Sequence, residues 1–216
     1  MPGDKRVRHS IRVGRGGCYP YATASAVGLT HTQRIHGVLI MRTAVFIDGP
    51  NFHALAKAMQ IDVDFKALGT YLRETYAPLL RIYYVTATAP DREGVDTLRP
   101  LVDWLSYNGF EMVTKPGKTF TAQDGSERFK GNMDVDLAVS AMELADHVGR
   151  IVLFTGDGDF VPLVKALQRK GVVVEAWSDL KSRMIADELR RAVDEYREIE
   201  EIVKLIKRQR GSQAAE

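Results

Sequence analysis

From residue 43 to residue 177 the chain alternates short runs of apolar, β-branched and aromatic residues with longer stretches whose apolar residues recur every three or four positions. The runs suit strands, the stretches suit amphipathic helices, and the alternation predicts an α/β fold of parallel strands joined by crossover helices. Strands are predicted at residues 43–47, 81–88, 110–114, 151–155 and 172–177. Helices are predicted at 52–59, from an Asp64 N-cap to about 77, at 91–107 with a kink or break at Pro100, at 132–148 and at 160–170. Asn108-Gly109 and Gly171 stop the helices they follow. The run at 151–155 is almost purely apolar, as expected of a central strand covered on both faces.

Three segments depart from this rhythm. Residues 115–130 are rich in turn formers and suit a β-hairpin insertion. Lys115, Lys118, Arg128 and Lys130 interleave there with Phe120 and Phe129. That combination suits contact with phosphates and bases, and it equally suits a solvated hairpin with two packing aromatics. Residues 182–209 place Leu189, Val193, Tyr196, Ile199, Ile202, Val203 and Ile206 at helical spacing. One long C-terminal helix is therefore predicted, its stripe buried against the domain or, in a homodimer, against a second copy. Residues 1–40 show no sustained apolar periodicity and carry six basic residues against Asp4 alone. They read as a flexible extension, a basic arm for nucleic acid, a targeting segment, or sequence upstream of a start at Met41. The predicted organisation is thus an extension at 1–40, a domain at 41–191 and a helical tail at 192–216.

Because the whole chain is only +2, the part after residue 40 is mildly acidic and lacks the broad basic surface of a non-specific nucleic-acid binder. No apolar run approaches the roughly 18 residues of a membrane span, so no membrane association is expected. Cys18 is the single cysteine, which rules out an internal disulfide and any paired-cysteine zinc motif. A cytoplasmic location is the expectation that follows. No phosphate-binding GxxxxGK[ST] or dinucleotide-binding GxGxxG is present in the folded part, and the histidines form no ligand pair.

What remains is a set of aspartates at comparable places. Asp48 ends the first predicted strand, Asp157 and Asp159 follow the fourth, and Asp134 lies in the first turn of the helix before it. In a doubly wound sheet the first and fourth strands lie side by side where the strand order reverses, so Asp48 and Asp157 should meet. Carboxylates gathered in one cleft repel unless something positive sits between them, and hard divalent cations such as Mg²⁺ or Mn²⁺ take such oxygen donors. The implied chemistry is metal-assisted phosphodiester hydrolysis. Each piece also has a plainer reading: Gly156-Asp157-Gly158-Asp159 as a tight turn with Asp159 capping a helix, and Asp134 as a carboxylate favoured by the helix dipole. Asp134 and Asp136 are about 200° apart around a helix and cannot both face one site. Asp134 is the candidate, because Ala138 and Ala141 leave room on its face.

Three blocks carry a family resemblance: Phe46-Ile47-Asp48-Gly49-Pro50-Asn51, Lys130-Gly131-Asn132-Met133-Asp134-Val135-Asp136-Leu137-Ala138, and Thr155-Gly156-Asp157-Gly158-Asp159-Phe160. They resemble the signature blocks of NYN domains of the LabA-like group in the PIN-like nuclease superfamily. The resemblance implies a three-layer α/β/α, Rossmann-like fold and a metal-dependent ribonuclease. Its metal-site positions fall on Asp48, Asp134, Asp157 and Asp159. Asn51 would orient substrate or water, and Ser178 would border the pocket. Where many relatives carry a later Asp in the second block this chain has Ser140, which implies either one outer carboxylate fewer or a module that binds RNA or a nucleotide without cutting it.

Overall fold

The computed structural model describes residues 32–35, 38–88, 98–121, 127–130 and 132–208, with side chains described at 41–88, 98–117 and 132–208. A short antiparallel pair, β1 (Thr32–Ile35) and β2 (Val38–Met41), precedes the alternating part. Six parallel strands then form the central sheet: β3 (Thr43–Asp48), β4 (Leu79–Thr88), β5 (Glu111–Pro116), β8 (Arg150–Phe154), β9 (Val173–Ser178) and β10 (Glu195–Glu198). Between β5 and β8 the antiparallel β6 (Lys118–Thr121) and β7 (Glu127–Lys130) make the expected hairpin. The helices are α1 (Gly49–Ala58), α2 (Phe65–Thr75), α3 (Arg99–Tyr107), α4 (Asp134–Leu144), α5 (Val161–Arg169), α6 (Asp187–Ala192) and α7 (Glu200–Ile206). The spatial order is β10-β9-β8-β3-β4-β5, so the chain winds outward from β3 in one direction and returns at β8 to wind outward in the other.

Alternation along the central strands divides the core into two layers. Ala44 and Phe46 of β3, with Ile151 and Leu153 of β8, pack with Leu137 of α4, Val164 of α5 and Leu189 of α6. Val45 and Ile47, with Val152 and Phe154, pack with Phe52 of α1, Leu68 and Leu72 of α2, Leu105 of α3 and Ile202 of α7. β3 is buried on both faces through Ile47 because helices cover both. The three-layer α/β/α arrangement expected from the resemblance is therefore present. Local signals are also in place: Asp64 accepts from Ala67 N–H at 3.0 Å as N-cap, Pro100 opens α3, and Gly109 and Gly171 take left-handed φ of +82° and +80° after α3 and α5. The first part of the predicted 91–107 helix falls at residues outside the described ones.

Two predicted boundaries are corrected. The extension was expected to be structureless through residue 40, yet the apolar run Val38-Leu39-Ile40-Met41 pairs with residues 32–35 as a strand. Residues 1–31 lie outside the described residues. More consequentially, the long C-terminal helix and the helical tail from 192 do not form. Val193 turns extended, β10 joins the open edge of β9, and the Asp194 carboxylate accepts from Val174 N–H at 2.8 Å. An unpaired sheet edge gains a ladder of backbone hydrogen bonds this way, which a continuous helix would leave unmade. The apolar stripe is then divided between one strand and two short helices. Ile199, Ile202 and Ile206 are buried, Asp64 N–H donates to Ile206 C=O at 2.6 Å, and Arg208 N–H donates to Asp62 C=O at 2.7 Å. The folded domain therefore runs past 191 to at least Arg208, and the stripe that motivated a homodimer contact is buried within the chain itself.

Candidate metal centre

β3 and β8 are neighbours, paired from Thr43 with Arg150 to Ile47 with Phe154, and the strand order reverses at this pair. Their carboxyl ends open one crevice, the usual ligand position in an open α/β sheet. Asp48 ends β3 and caps α1, its Oδ1 accepting from Asn51 N–H at 3.3 Å. Its Oδ2 accepts from the Thr155 hydroxyl at 2.9 Å. Thr155 in turn accepts from Asp157 N–H at 3.3 Å, and Asn51 Oδ1 accepts from Gly156 N–H at 3.1 Å. The loops after β3 and β8 are thus stitched together by three side chains. Thr155 was not singled out from sequence, although it stands directly before the Gly-Asp-Gly-Asp run.

Beyond this stitch, Asp157 Oδ1 accepts from Asp159 N–H at 2.9 Å, which starts a 3-10 turn at Gly158–Phe160 that leads into α5. On α4, the Asn132 amide oxygen accepts from Asp134 N–H at 2.8 Å and fixes the first turn. Asp134, Asp157 and Asp159 each bring one carboxylate oxygen within 4.8 Å of the other two. Three of the four expected acids therefore meet as one set. Asp48 stands outside that set, adjacent to Asp134 and Asp157 rather than among them. Asp136 points elsewhere, as helix geometry requires, and pairs with Lys115.

The electrostatics are those of a site short of positive charge. Burial pushes the Asp48 carboxyl up to about 6; the hydrogen bonds from Asn51 and Thr155 oppose the shift, while the charges of Asp134 and Asp157 add to it. Asp134 is raised as well, by burial first and then by Asp157 and Asp159, with the Asn132 hydrogen bond and the Lys115 charge working against the rise. Among the described residues no cation forms an ion pair with Asp134, Asp157 or Asp159. A hard divalent cation fits this donor set, which is all carboxylate oxygen drawn from separate segments.

A pH dependence follows. Asp48 binds its proton more tightly folded, at about 6, than unfolded, near 3.8, so it stabilises the metal-free chain below pH 4 and loses that contribution as pH rises through 6. Urea unfolding in EDTA should show stability falling between pH 4 and pH 6, and Asp48→Asn should flatten that fall. An unchanged slope in the variant would remove Asp48 as its source.

The remaining expected site residues divide. Lys115 lies at the end of β5, committed to Asp136. The side chains of Lys118, Arg128 and Lys130 lie outside the described residues. Ser178 is corrected: it is fully buried, and its hydroxyl donates to Met184 C=O at 2.9 Å, so it supports the loop rather than meeting a substrate. Ser140 lies six residues beyond Asp134 on α4, about 120° around the helix, so a carboxylate there would not have joined the cluster's face. The structure adds one acid that sequence reasoning missed. A β-carbon placed on Gly158 would sit 2.6 Å from Glu188 Oε1, so this α6 carboxylate borders the cluster from a segment 30 residues away.

Comparison with known proteins agrees with the geometry. Residues 42–200 match the NYN domain. This chain belongs to the NYN domain family. Low amplitude and bright protein LabA from Synechococcus elongatus is 28% identical over 170 residues, covering 77% of this chain and 88% of the relative. The fold is shared with a crystallographically solved Vibrio parahaemolyticus protein of unknown function, at a TM-score of 0.58 and 24% identity over 74% of this chain and 93% of the other. The NYN match extends through β10, in keeping with a domain that continues past residue 191. This NYN chain thus joins a nuclease-type fold to a carboxylate cluster at the carboxyl end of its sheet. Among the described residues, no helix is long and apolar enough to cross a membrane.

Proposed function

We propose that this NYN protein is a divalent-metal-dependent ribonuclease whose reaction centre is the crevice between the carboxyl ends of β3 and β8. The observation that carries this reading is the approach of Asp134, Asp157 and Asp159 within 4.8 Å, from α4 and from the loop after β8. RNA as the substrate rests on the resemblance to PIN-like nucleases. Mg²⁺ or Mn²⁺ would be held by Asp134, Asp157 and Asp159, with Asp48 beside them. Such an ion polarises a phosphoryl oxygen and lowers the pKa of water, the chemistry that phosphodiester hydrolysis needs.

The chain's own groups do the positioning. The Asn132 amide oxygen fixes the first turn of α4 by accepting from the Asp134 backbone N–H, and the Asp157 carboxylate, accepting from Asp159 N–H through Oδ1, keeps other lone pairs free. Thr155 and Asn51 N–H orient the Asp48 carboxylate, and a carboxyl near 6 can take up or release a proton close to neutral pH. Asn51 keeps its amide N–H groups free of partners among the described residues, available to a phosphate oxygen, while its carbonyl ties the two loops together.

The test is cleavage of a labelled RNA panel with Mg²⁺, Mn²⁺ or EDTA. Metal-dependent products are expected, with none in EDTA and none from Asp48→Asn. Cleavage that survives EDTA, or equal cleavage by wild type and variant, would refute the metal-dependent reading. Metal-dependent RNA binding without product would favour a regulatory module that holds RNA.

A further inference from the structure

RNA brings a chain of phosphates to a crevice that already holds Asp48, Asp134, Asp157 and Asp159, and a bound ion would offset only part of that charge. Cations on the rim would offset the rest. Lys115 near the end of β5, Lys181 in the turn after β9 and Arg197 in β10 lie toward this edge of the sheet, and each is already paired, with Asp136, Glu200 and Glu201. The exposed Arg183, two residues beyond Lys181, is different: its guanidinium makes no hydrogen bond or ion pair among the described residues.

The backbone on either side of Arg183 is tied to the reaction centre. The next residue, Met184, lays its C=O against Gly156, so closely that a β-carbon on Gly156 would lie 1.5 Å from that oxygen, and Ala186 N–H donates to Gly156 C=O at 2.8 Å. Gly156 directly precedes Asp157 of the acid cluster, and consecutive Cα atoms are only about 3.8 Å apart. Arg183 is therefore one residue from a contact that is itself one residue from a cluster acid. Arg183 also takes a φ of +55°, in the left-handed region that favours glycine. Ser182 N–H donates to Asp179 Oδ2 at 2.6 Å, Arg183 N–H to Leu180 C=O at 3.1 Å and Met184 N–H to Asp179 C=O at 3.0 Å, and these bonds impose the conformation. Glycine would adopt it without strain, yet the position carries a long cationic side chain. Strain kept beside a reaction centre calls for a role for that side chain.

We propose that Arg183 is a substrate-binding residue whose guanidinium holds a phosphate of the RNA strand adjoining the phosphodiester at the aspartates, so that the strand leaves the crevice over the turn after β9. This assignment rests on the ribonuclease reading above. A guanidinium suits the task because its planar fork donates two parallel N–H bonds to phosphate oxygens and stays charged at any working pH. Being unpaired, Arg183 gives up no protein partner to do so, whereas Lys181 would have to leave Glu200.

The experiment measures binding without turnover. Full-length protein in EDTA is titrated by fluorescence anisotropy against a 5′-labelled oligouridylate at a series of KCl concentrations. Arg183→Gly should weaken binding about fivefold at low salt and reduce the slope of log affinity against log salt by about 0.7, the loss of one phosphate contact. Arg183→Lys should keep the slope. Lys181→Ala, which removes an equal charge from the same turn, should keep both slope and affinity. Melting separates this role from a structural one: with its left-handed φ relieved, Arg183→Gly should melt no lower than wild type while binding RNA more weakly. Unaltered affinity and slope in Arg183→Gly, an equal loss in Lys181→Ala, or no measurable binding by wild type overturns the phosphate contact. A Tm that falls together with affinity assigns Arg183 to holding the turn and overturns it as well. In Mg²⁺ or Mn²⁺, Arg183→Gly should raise KM about fivefold with kcat unchanged. Cleavage whose KM is unmoved refutes the phosphate contact alone, and Arg183-dependent binding without cleavage by wild type refutes the catalytic reading alone.

Discussion

Asp157→Asn should lower metal-dependent RNA cleavage at least about 100-fold, because it removes a carboxylate of the three-acid cluster. The substitution is chosen for what it leaves intact. Asparagine keeps the carbonyl oxygen that accepts from Asp159 N–H, so the 3-10 turn into α5 survives. It also takes one negative charge out of a set that raises Asp48 and Asp134, so the metal-free variant should be no less stable than wild type. The discriminating readout is thermal. With Mn²⁺ at about 100 times its dissociation constant, wild type should gain roughly 2.7 kcal/mol, or roughly 5–10 °C in Tm, and the variant should gain little. Loss of both cleavage and Mn²⁺ stabilisation identifies Asp157 as a ligand. An undiminished Mn²⁺ gain would move the ion elsewhere, whatever happened to activity.

Gly156→Ala should be the most damaging small substitution in the site. An added β-carbon would lie 1.5 Å from Met184 C=O oxygen, 2.5 Å from its carbon and 2.7 Å from Ser178 Oγ. Backbone cannot swing aside as a side chain can. Gly156 is also held from both directions, its N–H donating to Asn51 Oδ1 and its C=O accepting from Ala186 N–H at 2.8 Å. The expected cost is about 3 kcal/mol or more, with Tm lowered by roughly 6–12 °C and cleavage lost with the displaced Asp157. Gly158→Ala is the natural control. Its β-carbon meets the end of Glu188, a flexible side chain, and Ala186 Cβ at 3.2 Å, so thermal stability should fall far less than in Gly156→Ala. Equal melting of Gly156→Ala and wild type would show that the strap formed by residues 184–186 gives way.

Much of this site was legible in the residues themselves, for identifiable reasons. Asp48 ends one apolar strand and Asp157 closely follows another, the period and length of each being local properties, and strand adjacency at the order reversal follows from general rules of parallel sheets. Asp134 was separable from Asp136 by helix geometry alone, and the structure pairs Asp136 with Lys115 as that separation requires. Ser178 misled because a short polar residue at a strand end looks the same whether its hydroxyl faces a pocket or a buried carbonyl. Thr155 and Glu188 were missed because their roles are set by contacts across long sequence separations, Thr155 with Asp48 and Glu188 with Gly158.

The C-terminal region shows the same division most plainly. Apolar residues spaced three or four apart from Leu189 to Ile206 are compatible with one long helix, and local propensity carries no term for the open edge of β9. Once β9 is placed, its unpaired backbone groups select residues 195–198 as a sixth strand, and α7 is left to close over α2 with Ile202 and Ile206 inward. The residue pattern by itself therefore determined the parallel α/β sheet and which strand ends carry acid, because periodicity and capping are encoded within a few residues. The tertiary structure alone decided that three aspartates come within 4.8 Å while Asp48 stands beside them, because those distances depend on how separate loops are strapped together by Thr155, Asn51 and the chain around Met184.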